Sequence, residues 1–214
     1  TLGSIYALIA LGYTMVYGIL KLLNFAHGDV YMVGAFVGFF VLQWLGGPVD
    51  TVVNGWVAIA IMFAVAMVAC GALGVGIERF AYRPLRNAPR IAPLISALGV
   101  SIFLQNSALL LWGPDFRDYG TFDLIGVKSY SIGANFFISN IQILTIATSI
   151  GLMIVLALLV SRTRSGKAMR AVSFDREAAE MMGISVDRVI SFTFFVGSAL
   201  AAAGGVMFGI VFGQ

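Results

Sequence analysis

Charge is scarce in this sequence. Only 11% of its 214 residues are Asp, Glu, Lys or Arg, against about 25% in a soluble domain, which excludes an ordinary water-soluble globule. Cysteine occurs once, as Cys70 within an apolar run, so no intrachain disulfide can form. It reads as a small apolar filler. Histidine also occurs once, as His27, and one His with one nearby carboxylate is too few ligands for a metal site. No nucleophile–base pair stands out, which argues against an enzyme. The net charge is only +3, and the basic residues cluster beside apolar runs, where they report membrane orientation rather than nucleic-acid binding.

What the chain has in abundance is apolar length: 60% hydrophobic residues and a mean hydropathy of +0.97. A membrane crossing takes about 20 residues. The apolar runs predict six of them, at about 2–20, 28–45, 55–77, 91–112, 140–161 and 189–212. The fold class is therefore an all-α polytopic transmembrane bundle, read as a single permease-like domain over 1–214. The second run is short for a span unless it begins within Asn24–Asp29. Gly46-Gly47-Pro48 reads as the turn that ends it. Ser139 reads as the N-cap of the fifth span, and Gly120–Gly133 as a short hairpin.

Orientation follows from Lys and Arg in the connections. The Glu78–Arg90 stretch carries four Arg and 162–188 carries six basic residues, whereas the Gly46–Asn54 turn carries none. The two basic segments are expected on the cytoplasmic side and Thr1 outside. The chain starts at Thr1 without a Met and stops at Gln214 within an apolar run, as expected of a piece of a longer protein, and it shows no signal-peptide pattern.

Small residues recur at helical spacing. Gly197, Ala201, Gly205, Gly209 and Gly213 form a stripe on the last span, and Gly34 and Gly38 do so on the second. Such stripes let helix backbones approach closely inside a bilayer. They read as packing surfaces.

Two polar constellations interrupt the apolar pattern. The first is Asn24, Phe25, Ala26, His27, Gly28 and Asp29. Polar groups between apolar runs are costly unless they face protein or water, and a broken or re-entrant helix is tolerated at membrane depth only where it lines a cavity or is buried. Asn24, Phe25, His27, Gly28 and Asp29 are thus candidates for a translocation path. A plain turn capped by Asp29 is the alternative, and proton relay through His27 and Asp29 a third reading. The second constellation is the 162–188 segment. Ser165 reads as the cap of one helix, Ser173 or Asp175 as the cap of the next, and Gly183 as the residue that ends it. Asp175, Ala178, Ala179 and Met182 share a face by spacing, and Arg176 is expected to pair with Glu180. A charged helix between two spans lies at the membrane surface and is suited to docking a partner; the nearby Arg162, Arg164, Lys167 and Arg170 read as lipid-headgroup anchors.

Glu177-Ala178-Ala179-Glu180-Met181-Met182-Gly183 resembles the Glu-Ala-Ala-x-x-x-Gly loop of ABC-importer permeases. The later Ile-x-Leu-Pro part of that loop is missing, since Ile190-Ser-Phe-Thr-Phe has no Pro, which argues against the maltose-type family. A wider match covers nearly the whole chain. Gly3-Ser-Ile-Tyr-Ala-Leu, Met15-Val-Tyr-Gly, Asn24-Phe-Ala-His-Gly-Asp, Tyr31-Met-Val-Gly-Ala, Glu78-Arg-Phe-Ala-Tyr-Arg-Pro-Leu-Arg and Met182-Gly-Ile resemble the LivH-type permeases of branched-chain amino acid ABC importers.

The resemblance implies a non-catalytic transport subunit of the bacterial or archaeal cytoplasmic membrane. Its partners would be two cytoplasmic ATPase subunits that bind ATP and magnesium, a second, LivM-type permease, a periplasmic or extracellular binding protein, and lipid. It implies that Asp175–Gly183 is the ATPase-coupling helix, and that about two further spans lie beyond Gln214. A urea or short-amide permease of the same group would share these motifs; a secondary transporter or channel is the more distant alternative.

Overall fold

The computed structural model describes residues 1–21, 23–86, 88–89, 91–115, 117–120, 124–126, 128–131 and 137–212. Arg90, Gly133 and Gly213, named above, lie outside the described residues. The helices are α1 (Leu2–Leu20), α2 (His27–Trp44), α3 (Gly55–Ile77), α4 (Ile91–Trp112), α5 (Asn140–Arg162), α6 (Arg164–Phe174), α7 (Arg176–Met181) and α8 (Val186–Phe212). α1, α3, α4, α5 and α8 are long and apolar enough to cross a membrane. Six such segments were expected. The sixth, α2, opens on His27-Gly28-Asp29 and is too polar at that end to count with the other five.

Local chemistry sets several boundaries. Asn54 caps α3 by accepting from the Trp56 N–H. Ser139 caps α5 in a full capping box with Gln142, as its sequence position suggested. The basic stretch after α3 is largely helical rather than a loop: Glu78–Tyr82 continues as a π turn and Arg83–Leu85 as a 3-10 turn, so this rod runs to Leu85. The hairpin is real but later than expected: β1 (Ser129–Ser131) pairs antiparallel with β2 (Phe137–Ser139).

α8 is the centre of the bundle, with α1, α2 and α3 packed around it. Within its most apolar 18-residue stretch 78% is buried, against 17% for α4 and for α5, so those two helices face outward. The small-residue stripe makes the central packing possible. A methyl built on Gly34 would come within 2.5 Å of Ala202 Cα, and one on Gly197 within 2.9 Å of Val16 and 3.1 Å of the Gly12 carbonyl. Gly205 abuts Tyr31 and Ala35, and Ala201 is fully buried. Gly38 and Gly209 both meet Tyr119, whose ring enters the outer end of the bundle and whose hydroxyl donates to the Ala35 carbonyl. Burial pushes that phenol above its ordinary range.

The contacts also fix the depth of α2. It runs parallel to α8, with Gly34 against Ala202 and Gly38 against Val206. α1 runs antiparallel, with Gly12 at the level of Gly197. His27, the first residue of α2, sits beside Ile9 and Gly12. At 1.5 Å per residue, that is about 15 Å from the cytoplasmic end of α8. α2 begins near the middle of the bundle.

Candidate functional site

The chain returns from the end of α1 to this depth without a regular helix over Leu23–Ala26. Lys21 ends α1 in the left-handed region, φ 54°, its N–H donating to the Tyr17 carbonyl. Asn24, His27 and Asp29 are then buried, while Phe25 and Gly28 are exposed. Each buried group meets a different element. Asn24 Oδ1 accepts from the Tyr82 hydroxyl at 2.8 Å. His27 Nε2 lies 3.3 Å from the Ile9 carbonyl, to which its N–H tautomer donates, and its ring meets Tyr13 edge-on. Asp29 Oδ1 accepts from Gln105 Nε2 of α4 at 2.9 Å, and its Oδ2 is buried with no partner among the described residues.

The N-terminus of α2 has no side-chain cap; the His27 N–H donates to the Asn24 carbonyl and the Val30 N–H to that of Ala26, which leaves the Gly28 and Asp29 N–H groups, among the described residues, to whatever occupies the space beside them. That space is an open groove of about 350 Å³, walled by Tyr6, Ile9, Tyr13, Phe25, His27 and Gly28. It is mostly apolar, with a helix N-terminus at its edge.

The second site is built at the opposite end of α1. Thr163, not Ser165, caps α6, its hydroxyl accepting from the Gly166 N–H at 3.0 Å. Gly166 lies against the Leu159 and Val160 carbonyls at the end of α5, where any side chain would collide. Asp175 caps α7 by accepting from the Ala178 N–H at 3.1 Å. α7 closes in a Schellman pattern: Ile184 N–H to the Ala179 carbonyl, Gly183 N–H to that of Glu180, and Gly183 at φ 81°.

The expected shared face is divided. Ala179 is buried and Ala178 half-buried, whereas Asp175, Glu177, Glu180 and Gly183 are exposed. Phe174, Met181 and Met182 are 91%, 82% and 83% exposed. The alanines therefore let α7 seat closely on its own protein, and an acidic and methionine-bearing face looks outward. Arg176 does not pair with Glu180. Its guanidinium donates at 2.6 Å to the Ile19 carbonyl, one of those left without a helical partner at the end of α1. Burial, and then the nearby Arg86 charge, hold Arg176 below its ordinary range.

A charged knot that sequence reasoning did not single out lies just beyond. Glu78, fully buried after α3, accepts from Arg86 and from the Ser191 hydroxyl, the latter at 2.6 Å. Arg86 also pairs with Asp187 in the first turn of α8, as does Arg83. Only the Glu78–Arg86 spacing was open to sequence reading; Asp187 lies about a hundred residues away. The knot places both basic segments at one end of the bundle. α1 joins the two sites, with Ile9 touching His27 and Ile19 touching Arg176.

Residues 1–214 match the family described as branched-chain amino acid transport system, permease component. Over 219 residues the chain is 43% identical to the high-affinity branched-chain amino acid transport system permease protein LivH of Escherichia coli (strain K12), spanning 100% of this chain and 69% of that protein. It is 40% identical over 220 residues to the permease protein BraD of Pseudomonas aeruginosa, with the same coverage. A probable branched-chain amino acid transport permease LivH of Methanocaldococcus jannaschii is 26% identical over 219 residues, spanning 96% of this chain and 62% of that protein. No solved structure matches. Five apolar spans and these relatives make it a multi-pass protein of the cytoplasmic membrane. A family match from first residue to last, together with relatives at 40% identity and above, means that this chain belongs to the family of branched-chain amino acid transport permeases.

Proposed function

We propose that this chain is the translocating subunit of an ATP-driven importer for branched-chain or other small neutral amino acids. The whole-chain match to LivH and BraD carries this reading. The partners it requires are two cytoplasmic ATPase subunits holding ATP and magnesium, a second permease, and an extracytoplasmic binding protein. Two features of the fold support it. The groove beside His27 has apolar walls suited to an aliphatic side chain, and the Gly28 and Asp29 N–H groups at the start of α2 suit a carboxylate.

The coupling surface in this reading is the outward face of α7 and its flanks: Phe174 at the end of α6, Glu177, Glu180 and Met181 on α7, and Met182 just after it. A displacement imposed there would pass along two struts. Arg176 pulls on α1 through Ile19, and α8, continuous with the Gly183 turn, pulls on α3 through Asp187, Arg86 and Glu78. Both struts lead to helices that wall the groove or pack behind it.

The test is reconstitution of the full-length protein with its co-purifying subunits in vesicles. Labelled leucine uptake should require ATP and resist excess urea. Proton-driven uptake without ATP, with no ATPase co-purifying, would refute the reading; loss of leucine uptake to urea would move the substrate to short amides. Glu177→Arg should leave the protein inserted and assembled while reducing leucine moved per ATP hydrolysed at least tenfold, whereas wild-type uptake in that variant would remove α7 from the coupling surface.

A further inference from the structure

A second open cleft, about 440 Å³, lies at the cytoplasmic end, between the end of α1, the turn after α3, the start of α4 and α7. Tyr17, Leu20 and Pro93 form apolar walls, and Lys21, Arg86 and Arg176 converge on it. Among the described residues no carboxylate lines it. The two carboxylates that meet Arg86, Glu78 and Asp187, bind its terminal nitrogens, and its Nε is buried without a partner among the described residues. Arg176 is bonded to a neutral carbonyl. Lys21 is in no ion pair among the described residues. It also holds the left-handed position at the end of α1, where glycine or asparagine is usual.

The charge of Arg86 is met by Glu78 and Asp187, but Lys21 and Arg176, brought together from α1 and α7, are in no ion pair among the described residues and repel one another, more so where burial lowers the effective dielectric. The arrangement is stabilised when an anion enters. A phosphate group offers enough oxygens for both and matches guanidinium geometry. The depth is also right, because the cleft opens at the basic end of the bundle, where the headgroups of an anionic leaflet lie and where basic pockets between spans receive them.

We propose that this cleft is a phosphate-binding site, in which Lys21 and Arg176, beside the carboxylate-paired Arg86, hold the phosphate of an anionic phospholipid headgroup or of a soluble phosphate ester. The bound phosphate ties α1 to α7 alongside the Arg176–Ile19 bond, so occupancy stiffens the joint on which α7 rests. The site rests on local charge and shape, independently of any transport activity.

Native mass spectrometry of the full-length protein in mild detergent tests this. Phosphatidylglycerol is titrated against net-neutral phosphatidylethanolamine, and a separate arm uses inorganic phosphate and glycerol phosphate. The wild type should retain one phosphatidylglycerol in preference to phosphatidylethanolamine. Lys21→Asn, which suits the left-handed backbone, should weaken that retention roughly fivefold, as expected for one cation at a membrane surface. Lys21→Arg should keep it, and Lys128→Asn on the opposite face should not change it. Lys21-dependent binding of phosphate or glycerol phosphate alone would assign the soluble source; of phosphatidylglycerol alone, the lipid. Binding of neither, or equal loss in Lys21→Asn and Lys128→Asn, overturns the site.

Discussion

Removing Arg86 should destabilise this protein far more than removing its neighbour Arg83, although both bond to Asp187. Glu78 is fully buried and Arg86 has only 16% of its side chain exposed. Arg86→Ala would leave a buried carboxylate with a single hydroxyl partner, Ser191. Stranding one member of a buried pair costs about 3–5 kcal/mol. Arg83 and Asp187 are 42% and 47% exposed, and such pairs contribute at most about 1 kcal/mol. At about 2–4 °C per kcal/mol for a chain of this size, Arg86→Ala should lower Tm by roughly 6–20 °C and Arg83→Ala by no more than about 4 °C.

Cys70, the sequence's single cysteine and a buried one, is the natural reporter. A thiol-reactive dye labels it only as the bundle opens on heating. The second step isolates the cause. Adding Glu78→Gln to Arg86→Ala neutralises the stranded charge and should recover most of the lost Tm, because the penalty belongs to the unpaired carboxylate. Equal losses for Arg83→Ala and Arg86→Ala, or no recovery in the double variant, would refute the assignment of the knot as a buried, mutually dependent pair.

The helix stripe predicts a graded glycine scan. Gly34→Val should collapse membrane abundance because its side chain meets Ala202, whereas Gly3→Ala and Gly76→Ala, with open space around them, should leave abundance unchanged. Tyr82→Phe removes the donor to buried Asn24 and should cost about 1–3 kcal/mol, read as a lower Cys70 labelling temperature; an unchanged value would mean that Asn24 is satisfied otherwise. His27→Ala and Asp29→Asn should cut leucine uptake with membrane abundance held. A fall in abundance alone would make that stretch structural. Gly183→Val must force a β-branched residue to φ 81°, and should impair coupling beyond Gly183→Asn in an assay of uptake per ATP.

Features set by neighbouring residues were legible in the sequence. The Ser139 cap and the Gly183 terminator involve residues two to five apart and appear where the pattern placed them, and of the two caps offered for α7, Ser173 and Asp175, the structure uses Asp175. Choices made by the tertiary fold were not. Ser165 was the expected cap of α6, but the helix begins at Arg164 and Thr163 caps it. Arg176 had a suitable Glu180 one turn on, but an unpartnered carbonyl 157 residues away made the stronger demand. Gln105 was conspicuous in an apolar span, yet its partner Asp29 lies 76 residues earlier, a pairing no local pattern encodes. The polar start of α2 was visible; its depth was not, because depth is fixed by which residues of α1 and α8 it meets.

That depth gives the bundle an uneven wall. On the outer side α2 is a full helix locked to α8 by close backbone contact, and shifting it means moving a rod. Toward the cytoplasm the same position in the wall is filled by Leu23–Ala26, which has no ladder of helical hydrogen bonds to break. It is pinned instead at discrete points, among them the Tyr82–Asn24 bond and the Asn24 carbonyl's bond to the His27 N–H. Opening a passage inward from the groove therefore requires releasing a few pins in a short strap, while the outer half stays rigid. The inner half is the compliant one.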